Sequence, residues 1–393
     1  MRFSLVLKLI VVIAIPFAFG ALVAQKSDVS AQVEMFDVSE MTSFTQDQVP
    51  ETSAIEKKMK QFKEVLTRTP KQEGKLLPIS VFQDNYDTFG PEVMLDVLNQ
   101  DLSCHSQAHN LGRVIYAHTK DLAAGTMICQ NKCSSGCVHG VLMAMFNEMR
   151  GKELSYQPGV DPSIKMLTPD MRSQISQMCK RSEITRYTGI GNCYHAVGHA
   201  LLALTDYDIP QALKLCDIFE PYGIGAQYYC ATGVYMEEEI TLGKSDSRFF
   251  PTGASSTDPS LYPCDQYEYP AACYRYKINL LFTFPDDSEK VTALCLRLTG
   301  AQQTGCFHGI GFSGAYLIYK NPDALNMVCG SGSEEDKRMC IEGAFGIINV
   351  HDKSKGIVAK ACSTYTAGSK EICTDSIGIT NFTMKRDFKR YPR

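Results

Sequence analysis

The sequence predicts an all-α protein built from helical hairpins that are each stapled by a disulfide. Three features of the 393-residue chain support this fold class: cysteines recur in regularly spaced pairs, an amphipathic stretch ends at the first cysteine of each pair, and a segment rich in glycine and apolar residues follows the second. A stack of about seven such hairpins would form either an open α-solenoid or a closed α/α toroid, with the second helices on the inner face.

The chain begins with the pattern of an export signal. Arg2 and Lys8 precede the apolar stretch 9–24, and residues 18–20 offer a small-residue cleavage site. Residues 1–24 are therefore a predicted signal peptide or, if uncleaved, an N-terminal anchor, although the apolar stretch is shorter than the roughly 20 residues of a spanning helix. The protein is expected outside the cytoplasm, whether secreted, periplasmic or at the cell surface.

Composition and periodicity define the rest of the chain. Residues 25–52 are polar and acidic, which predicts a disordered linker. Residues 53–380 form the predicted helical-hairpin domain, which starts with an amphipathic helix at 53–67. Within this domain 242–263 is a predicted exposed insertion loop, and 381–393 is a predicted basic, solvated tail.

Sixteen cysteines in an exported chain predict eight disulfides, because oxidising compartments form and keep them. Cys295, Cys329 and Cys362 are each followed by a second cysteine eleven residues later. These first cysteines lie 34 and 33 residues apart, which gives the period of the predicted units. The facing ends of an antiparallel hairpin approach closely enough for such a bridge. The predicted pairs are Cys104–Cys133, Cys129–Cys137, Cys179–Cys193, Cys216–Cys230, Cys264–Cys273, Cys295–Cys306, Cys329–Cys340 and Cys362–Cys373. A thiolate cluster that holds a soft metal is the alternative.

Composition and missing motifs argue against several classes of function. The formal charge is -4 and the basic residues are scattered, so no nucleic-acid partner is expected. The sequence has no phosphate-binding glycine loop, dinucleotide fingerprint, serine-hydrolase elbow or kinase motif, so no nucleotide cofactor is expected. The lack of a C-x-x-C-H string argues against c-type haem. Membrane contact is expected only through an uncleaved N-terminal segment, and a protein or peptide partner stays open.

Six of the eight histidines lie within six residues after a cysteine. They are His105, His109, His139, His195, His199 and His308. Two pairs are spaced four residues apart, which places both imidazoles of a pair on one helix face and suits metal chelation. Zinc, copper or iron would fit, and a helix N-terminus would keep the rings neutral for binding. The alternative is that these histidines are structural and satisfy the helix N-termini.

Acidic residues add two expectations. Glu342 and Asp375 each follow a cysteine by two residues, as three of the histidines do, and they could complete a metal site or simply favour a helix N-terminus. Glu237, Glu238 and Glu239 form an acidic run that predicts a solvated helix face, with cation binding as the alternative.

The strings GCVHG around Cys137 and GCFHG around Cys306 resemble the cysteine and cysteine-histidine zinc motifs of lanthionine cyclases, which are α/α toroids. The resemblance implies a zinc site within a ring of helices. The chain departs from that family elsewhere, since it has no Trp and therefore lacks the family's tryptophan-cysteine-tyrosine-glycine motif. Membership is not inferred.

The sequence thus predicts an exported helical-repeat protein whose histidine-lined inner face binds a transition metal, which would allow metal-dependent catalysis. Two alternatives stay open. One is an extracytoplasmic scaffold for proteins or peptides, with structural histidines. The other is a protein for metal capture or storage.

Overall fold

The structure is a computed structural model that describes residues 50–70, 77–101, 104–152, 167–241, 262–281, 286–351 and 356–393. Within these ranges every regular element is a helix and no strand occurs, which confirms the all-α prediction. The predicted signal segment, most of the linker and most of the insertion loop lie outside the described residues. None of the described helices is both long enough and apolar enough to cross a membrane.

The helix α1 contains the predicted first helix and begins within the residues assigned to the linker. The α-helices are α1 (Pro50–Arg68), α2 (Ile79–Phe89), α3 (Pro91–Leu98), α4 (His105–Thr119), α5 (Leu122–Cys129), α6 (Gly136–Lys152), α7 (Pro169–Met178), α8 (Ser182–Thr188), α9 (Ile190–Leu204), α10 (Ile209–Leu215), α11 (Ile224–Thr241), α12 (Pro270–Leu281), α13 (Ser288–Arg297), α14 (Gly300–Lys320), α15 (Leu325–Val328), α16 (Glu334–His351), α17 (Gly356–Thr364) and α18 (Lys370–Ser376). Short 3-10 helices span Lys132–Ser135, Cys216–Tyr222, Pro322–Ala324 and Phe388–Arg390.

An inner layer consists of α4 and the α-helices that carry the second cysteine of every pair except Cys104–Cys133. In chain order α4, α6, α9, α11, α12, α14, α16 and α18 each pack against the next. The helices that end near a first cysteine, such as α5, α10 and α13, lie against this layer. Helix α9 is buried along almost its whole length, as its apolar and small residues require.

Glycines let the inner helices approach each other backbone to backbone. A Cβ at Gly140 of α6 would overlap the carbonyl oxygen of His109, and one at Gly233 of α11 would overlap that of His195. Only glycine leaves room for such an approach. The glycine-rich second segments therefore set the spacing between the helices that carry the histidines.

All eight disulfides of the structure have the predicted pairing, including Cys104–Cys133 across two units. Their Cα atoms lie 5.3–5.7 Å apart, within the usual range. The disulfides use every cysteine of the chain. The alternative of a thiolate metal cluster is therefore wrong.

Some inner helices begin earlier than predicted. Helix α16 begins at Glu334, well before Cys340, and α14 likewise begins before its cysteine. At α16 the reason is a capping box: the Ser333 hydroxyl accepts from the Asp336 N–H at 3.2 Å, and the Asp336 carboxylate accepts from the Ser333 N–H at 2.9 Å. The position two residues after the cysteine is therefore not a helix N-terminus in these two units.

The C-terminal segment 380–393 packs against the inner helices, so the prediction of a solvated tail is wrong. Arg386 is buried, and its guanidinium lies 3.7 Å from the Glu342 carboxylate. Arg393 pairs with Asp217 at 2.8 Å. These two arginines meet carboxylates that are distant in sequence, and these partners hold the segment in place.

Candidate metal centre

Five histidines from three inner helices meet in one group, called the histidine cluster below. His105 and His109 come from α4, His139 comes from α6, and His195 and His199 come from α9. All are buried except His105, which is partly exposed. The ligand-capable nitrogens of four of them, namely His105, His109, His139 and His199, lie within 4.8 Å of one another.

Outer hydrogen-bond partners orient three of these imidazoles. The contacts are His105 Nδ1 to the Cys133 carbonyl oxygen at 3.1 Å, His139 Nε2 to Asn192 Oδ1 at 3.2 Å and His199 Nδ1 to Glu237 Oε2 at 2.9 Å. Because these oxygens can only accept, each contacting nitrogen carries the hydrogen and the other ring nitrogen carries the lone pair. Metal-ligating histidines are usually held in this way. In His139 the remaining Nδ1 is buried and has no hydrogen-bond partner among the described residues.

The Nε2 atoms of His195 and His199 face each other, and each carries a lone pair. Thr232 donates its hydroxyl hydrogen to the Tyr229 carbonyl oxygen at 2.6 Å, so it accepts from His195 Nδ1 at 2.8 Å. His199 Nδ1 donates to Glu237 in the same way. Both Nε2 atoms are therefore unprotonated in the neutral rings, and they lie 3.0 Å apart. Facing lone pairs repel each other, and a cation bound by them removes the repulsion.

The spacing of the α4 pair matches metal coordination. His105 Nε2 and His109 Nε2 lie 3.2 Å apart. Zinc bound at ~2.0–2.1 Å by four nitrogens in a tetrahedron would separate the nitrogens by ~3.3 Å. The widest spacing among the four grouped histidines is 4.8 Å, so a bound ion would draw these rings closer together.

Burial keeps three of the cluster imidazoles uncharged. It holds the pKa of His109, His139 and His195 well below the usual value of 6.5, and neighbouring imidazoles lower these pKa values further. Neutral imidazole is the form that binds a metal ion. The main cause is burial rather than the helix N-terminus expected from the sequence.

Helix α11 supplies an acidic partner that the sequence did not reveal. Glu237 and Glu238 are each only 2% exposed, so the predicted solvated face is wrong for these two residues. Glu237 Oε2 lies 2.9 Å from His199 Nδ1 and 3.9 Å from His109 Nδ1. Glu237 and Glu238 face the interior because α11 packs between α9 and α12, and no local sequence pattern predicts this packing.

His308 and Glu342 lie outside the histidine cluster. His308 Nε2 accepts a hydrogen bond from Arg386 Nη1 at 2.9 Å, and Glu342 lies 3.7 Å from both Arg386 and Arg390. Guanidinium groups at these positions disfavour a metal cation. The inner helices α11 and α12 separate α14, which carries His308, from α9, so the equivalent sequence position faces another part of the interior.

Asp375 is also apart from the cluster. Its side chain is 58% exposed and lies 3.8 Å from Arg338. Glu342 is the ninth residue of α16 and Asp375 the sixth of α18, so the alternative of a helix N-terminal charge is wrong for both.

A central cavity of about 500 Å³ lies beside the cluster, a size typical of small-molecule sites. His105 and His195 form part of its wall, and Phe312, Tyr316 and Phe382 give it apolar surface. Most wall residues come from α4, α9, α11, α12, α14 and α16 and from the C-terminal segment, and Asp101 and Ser134 complete the wall. The Phe382 ring centroid lies 4.6 Å from that of His195.

Comparison of the chain with protein-family models, curated proteins and solved structures finds no match. The resemblance to lanthionine cyclases therefore rests on two short strings alone. The cysteines of those strings, Cys137 and Cys306, are both in disulfides. They cannot serve as the thiolate zinc ligands that the resemblance implies.

Proposed function

We propose that the protein is an exported metalloprotein whose histidine cluster binds a transition-metal ion. The observation that carries the proposal is the facing pair of unprotonated nitrogens, His195 Nε2 and His199 Nε2, at 3.0 Å. The buried and unpartnered Nδ1 of His139 adds a third donor. Buried lone pairs without a proton or cation between them are costly, and a metal ion supplies the missing positive charge.

The donor set favours a transition metal over a hard cation. The proposed ligands are His105, His109, His139 and His199, with His195 as a neighbouring donor. Imidazole suits zinc, copper and iron, whereas calcium and magnesium prefer oxygen ligands. Glu237 would orient His199 and offset part of the metal charge.

Metal storage is a weaker account of the same site. Every cysteine is in a disulfide, so no thiol is left to take up many ions. One histidine group of this kind is found among the described residues.

One observation favours a narrower function, metal-dependent catalysis on a small molecule. His105 and His195 belong to the cavity wall, so a molecule in the cavity would meet the proposed metal site. A metal ion there would polarise a substrate oxygen or activate water. Coordination by three of the histidines would leave a position open for substrate.

We further infer that the inner helices curve into a ring around the cavity. A polar cleft of about 670 Å³ is lined by Asn99 and Lys132 from the first hairpins and by Tyr319 and Val350 from α14 and α16.

Export is inferred from the predicted signal peptide, and the eight disulfides, which are typical of oxidising compartments outside the cytoplasm, support it.

Zinc titration tests the proposed function. Metal-free protein should bind about one equivalent of zinc, measured by isothermal titration calorimetry. Replacing a residue that orients a metal ligand typically weakens metal binding by roughly 10–100-fold, and Glu237→Gln should weaken zinc binding by an amount in this range. His139→Ala or His199→Ala removes a ligand and should weaken zinc binding by more. The matched control is His118→Ala, because His118 also lies on α4 but is exposed and stacks on Tyr86.

Zinc binding that is unchanged by the histidine substitutions would contradict the proposal. So would the absence of zinc binding by the folded protein. Either outcome would favour the scaffold alternative, in which a protein or peptide partner binds equally well after chelation.

A further inference from the structure

Arg275 is a buried charge that has no counter-ion among the described residues. It lies on α12, is 0% exposed and is the largest fully buried side chain of the described residues. Its Nη2 donates to Asn381 Oδ1, whereas Nε and Nη1 have no hydrogen-bond partner among the described residues. No carboxylate within the described ranges forms an ion pair with it. A buried guanidinium in this condition is strongly unfavourable.

The other buried arginine does not share this deficit. Arg386 donates to His308 and lies 3.7 Å from Glu342. Glu342 lies at the same distance from Arg390, so two guanidinium groups already share its one carboxylate. Glu342 is therefore already engaged by two other arginines and forms no ion pair with Arg275.

The residues that enclose Arg275 also form the wall of the central cavity. Its guanidinium carbon lies 5.7 Å from the Phe312 ring centroid and 5.9 Å from that of Phe382. Both rings line the cavity, and so does Asn381, which holds the guanidinium. The charge of Arg275 also acts on His195, another wall residue, and helps to lower the pKa of its imidazole.

We propose that the central cavity binds an apolar ligand that carries a carboxylate, and that Arg275 pairs with this carboxylate. Nη2 together with Nε or Nη1 forms the planar edge on which arginine binds a carboxylate through two hydrogen bonds. Asn381 Oδ1 holds Nη2 until the ligand carboxylate replaces it. Phe312, Tyr316 and Ile347 on the cavity wall contact the apolar body of the ligand.

Binding of small carboxylates to metal-free protein tests this inference, which does not depend on the metal site. The probes are 4-phenylbutyrate and the straight-chain carboxylates from butanoate to decanoate, each compared with its neutral amide by calorimetry in a buffer free of other carboxylates. At least one acid should bind about tenfold or more tightly than its amide, as expected for a charged hydrogen-bonded pair. Arg275→Met should abolish this preference, and Arg275→Lys should keep only part of it because lysine cannot form the two-bond contact.

Two substitutions at Asn381 separate a ligand site from a structural arginine. Asn381→Asp places a carboxylate beside Arg275, so it should raise the melting temperature and abolish acid binding. Asn381→Ala removes the competing oxygen and should tighten acid binding. Arg275→Met should not lower the melting temperature, because it removes an unpaired buried charge, so its loss of acid binding cannot be ascribed to unfolding.

Three results would overturn the inference. They are equal binding of acid and amide, no binding of any probe, and an acid preference that persists in Arg275→Met. Zinc titration of the same samples is an independent readout. Lack of zinc binding together with a preserved acid preference would contradict the metal proposal and leave the carboxylate site standing.

Discussion

At the residue scale, His308 is kept neutral by its surroundings. Burial holds its pKa well below 6.5, and the charges of Arg275 and Arg386 lower it further. Arg386 Nη1 donates to His308 Nε2 at 2.9 Å, a hydrogen bond that a protonated ring could not accept. In the unfolded chain the imidazole has a pKa of about 6.5. Below that pH the unfolded state therefore binds a proton that the folded state does not.

The free energy of unfolding of the metal-free protein should consequently fall as the pH drops below 6.5. His308 alone should account for a loss of about 1.4 kcal/mol by about pH 5.5. Urea denaturation at pH 7.5 and 5.5 measures this loss in the natural protein and in His308→Gln, which retains an acceptor but does not titrate. The variant should lose about that much less stability on acidification, and an equal loss in both proteins would show that His308 is not the titrating group.

The sequence predicted the two chelating pairs because a spacing of four places two side chains on one helix face. It did not predict that His308 would face Arg386. The position two residues after the cysteine faces the same way in every unit only if each helix is rotated by the same angle relative to the next. The contact of Glu237 with the histidine cluster was not predicted, for a related reason. Its partner His199 lies on another helix, and only the packing of α11 against α9 brings the two together.

At the element scale, cysteine spacing predicted the hairpins because each disulfide requires the ends of two helices to lie side by side. Helix starts were harder to predict, since a capping box such as Ser333 with Asp336 fixes the first turn independently of the cysteine. The fold of the C-terminal segment was not predictable from its composition. The partner of Arg393 is Asp217, which is far away in sequence and close only in the folded structure.

The close contact of α9 and α11 gives a prediction about packing. A Cβ at Gly233 would overlap the His195 carbonyl oxygen, so Gly233→Ala should lower the free energy of unfolding by roughly 1–3 kcal/mol. It should also weaken zinc binding, because the helix that must shift carries two cluster histidines. Urea denaturation measures the first effect and calorimetry the second.

The matched control is Gly378→Ala, since a Cβ at Gly378 meets no atom within 4 Å. Its stability should stay within about 0.5 kcal/mol of the natural protein. Equal stability of the two alanine variants would show that α9 and α11 are not in the described backbone contact.

At the scale of the whole molecule, the inner helices bring distant parts of the chain to one cavity. His105 of α4 and Tyr316 of α14 both line it. The sequence left an open array and a closed ring undecided, because the rotation between successive hairpins depends on side-chain packing rather than on cysteine spacing. The disulfides join neighbouring segments, whereas the proposed metal would link α4, α6 and α9 to one another. A bound metal should therefore stabilise the fold in proportion to its affinity for the folded state.

The metal content of protein folded in an oxidising compartment tests the central claim most directly. Elemental analysis should find about one equivalent of zinc, copper or iron per chain, and a thiol assay of the same sample should find no free cysteine. The double variant His139→Ala with His199→Ala, prepared in the same way, should keep its disulfides and lack the metal. Natural protein that stays free of metal even after exposure to zinc, or a double variant that retains a full equivalent, would contradict the account.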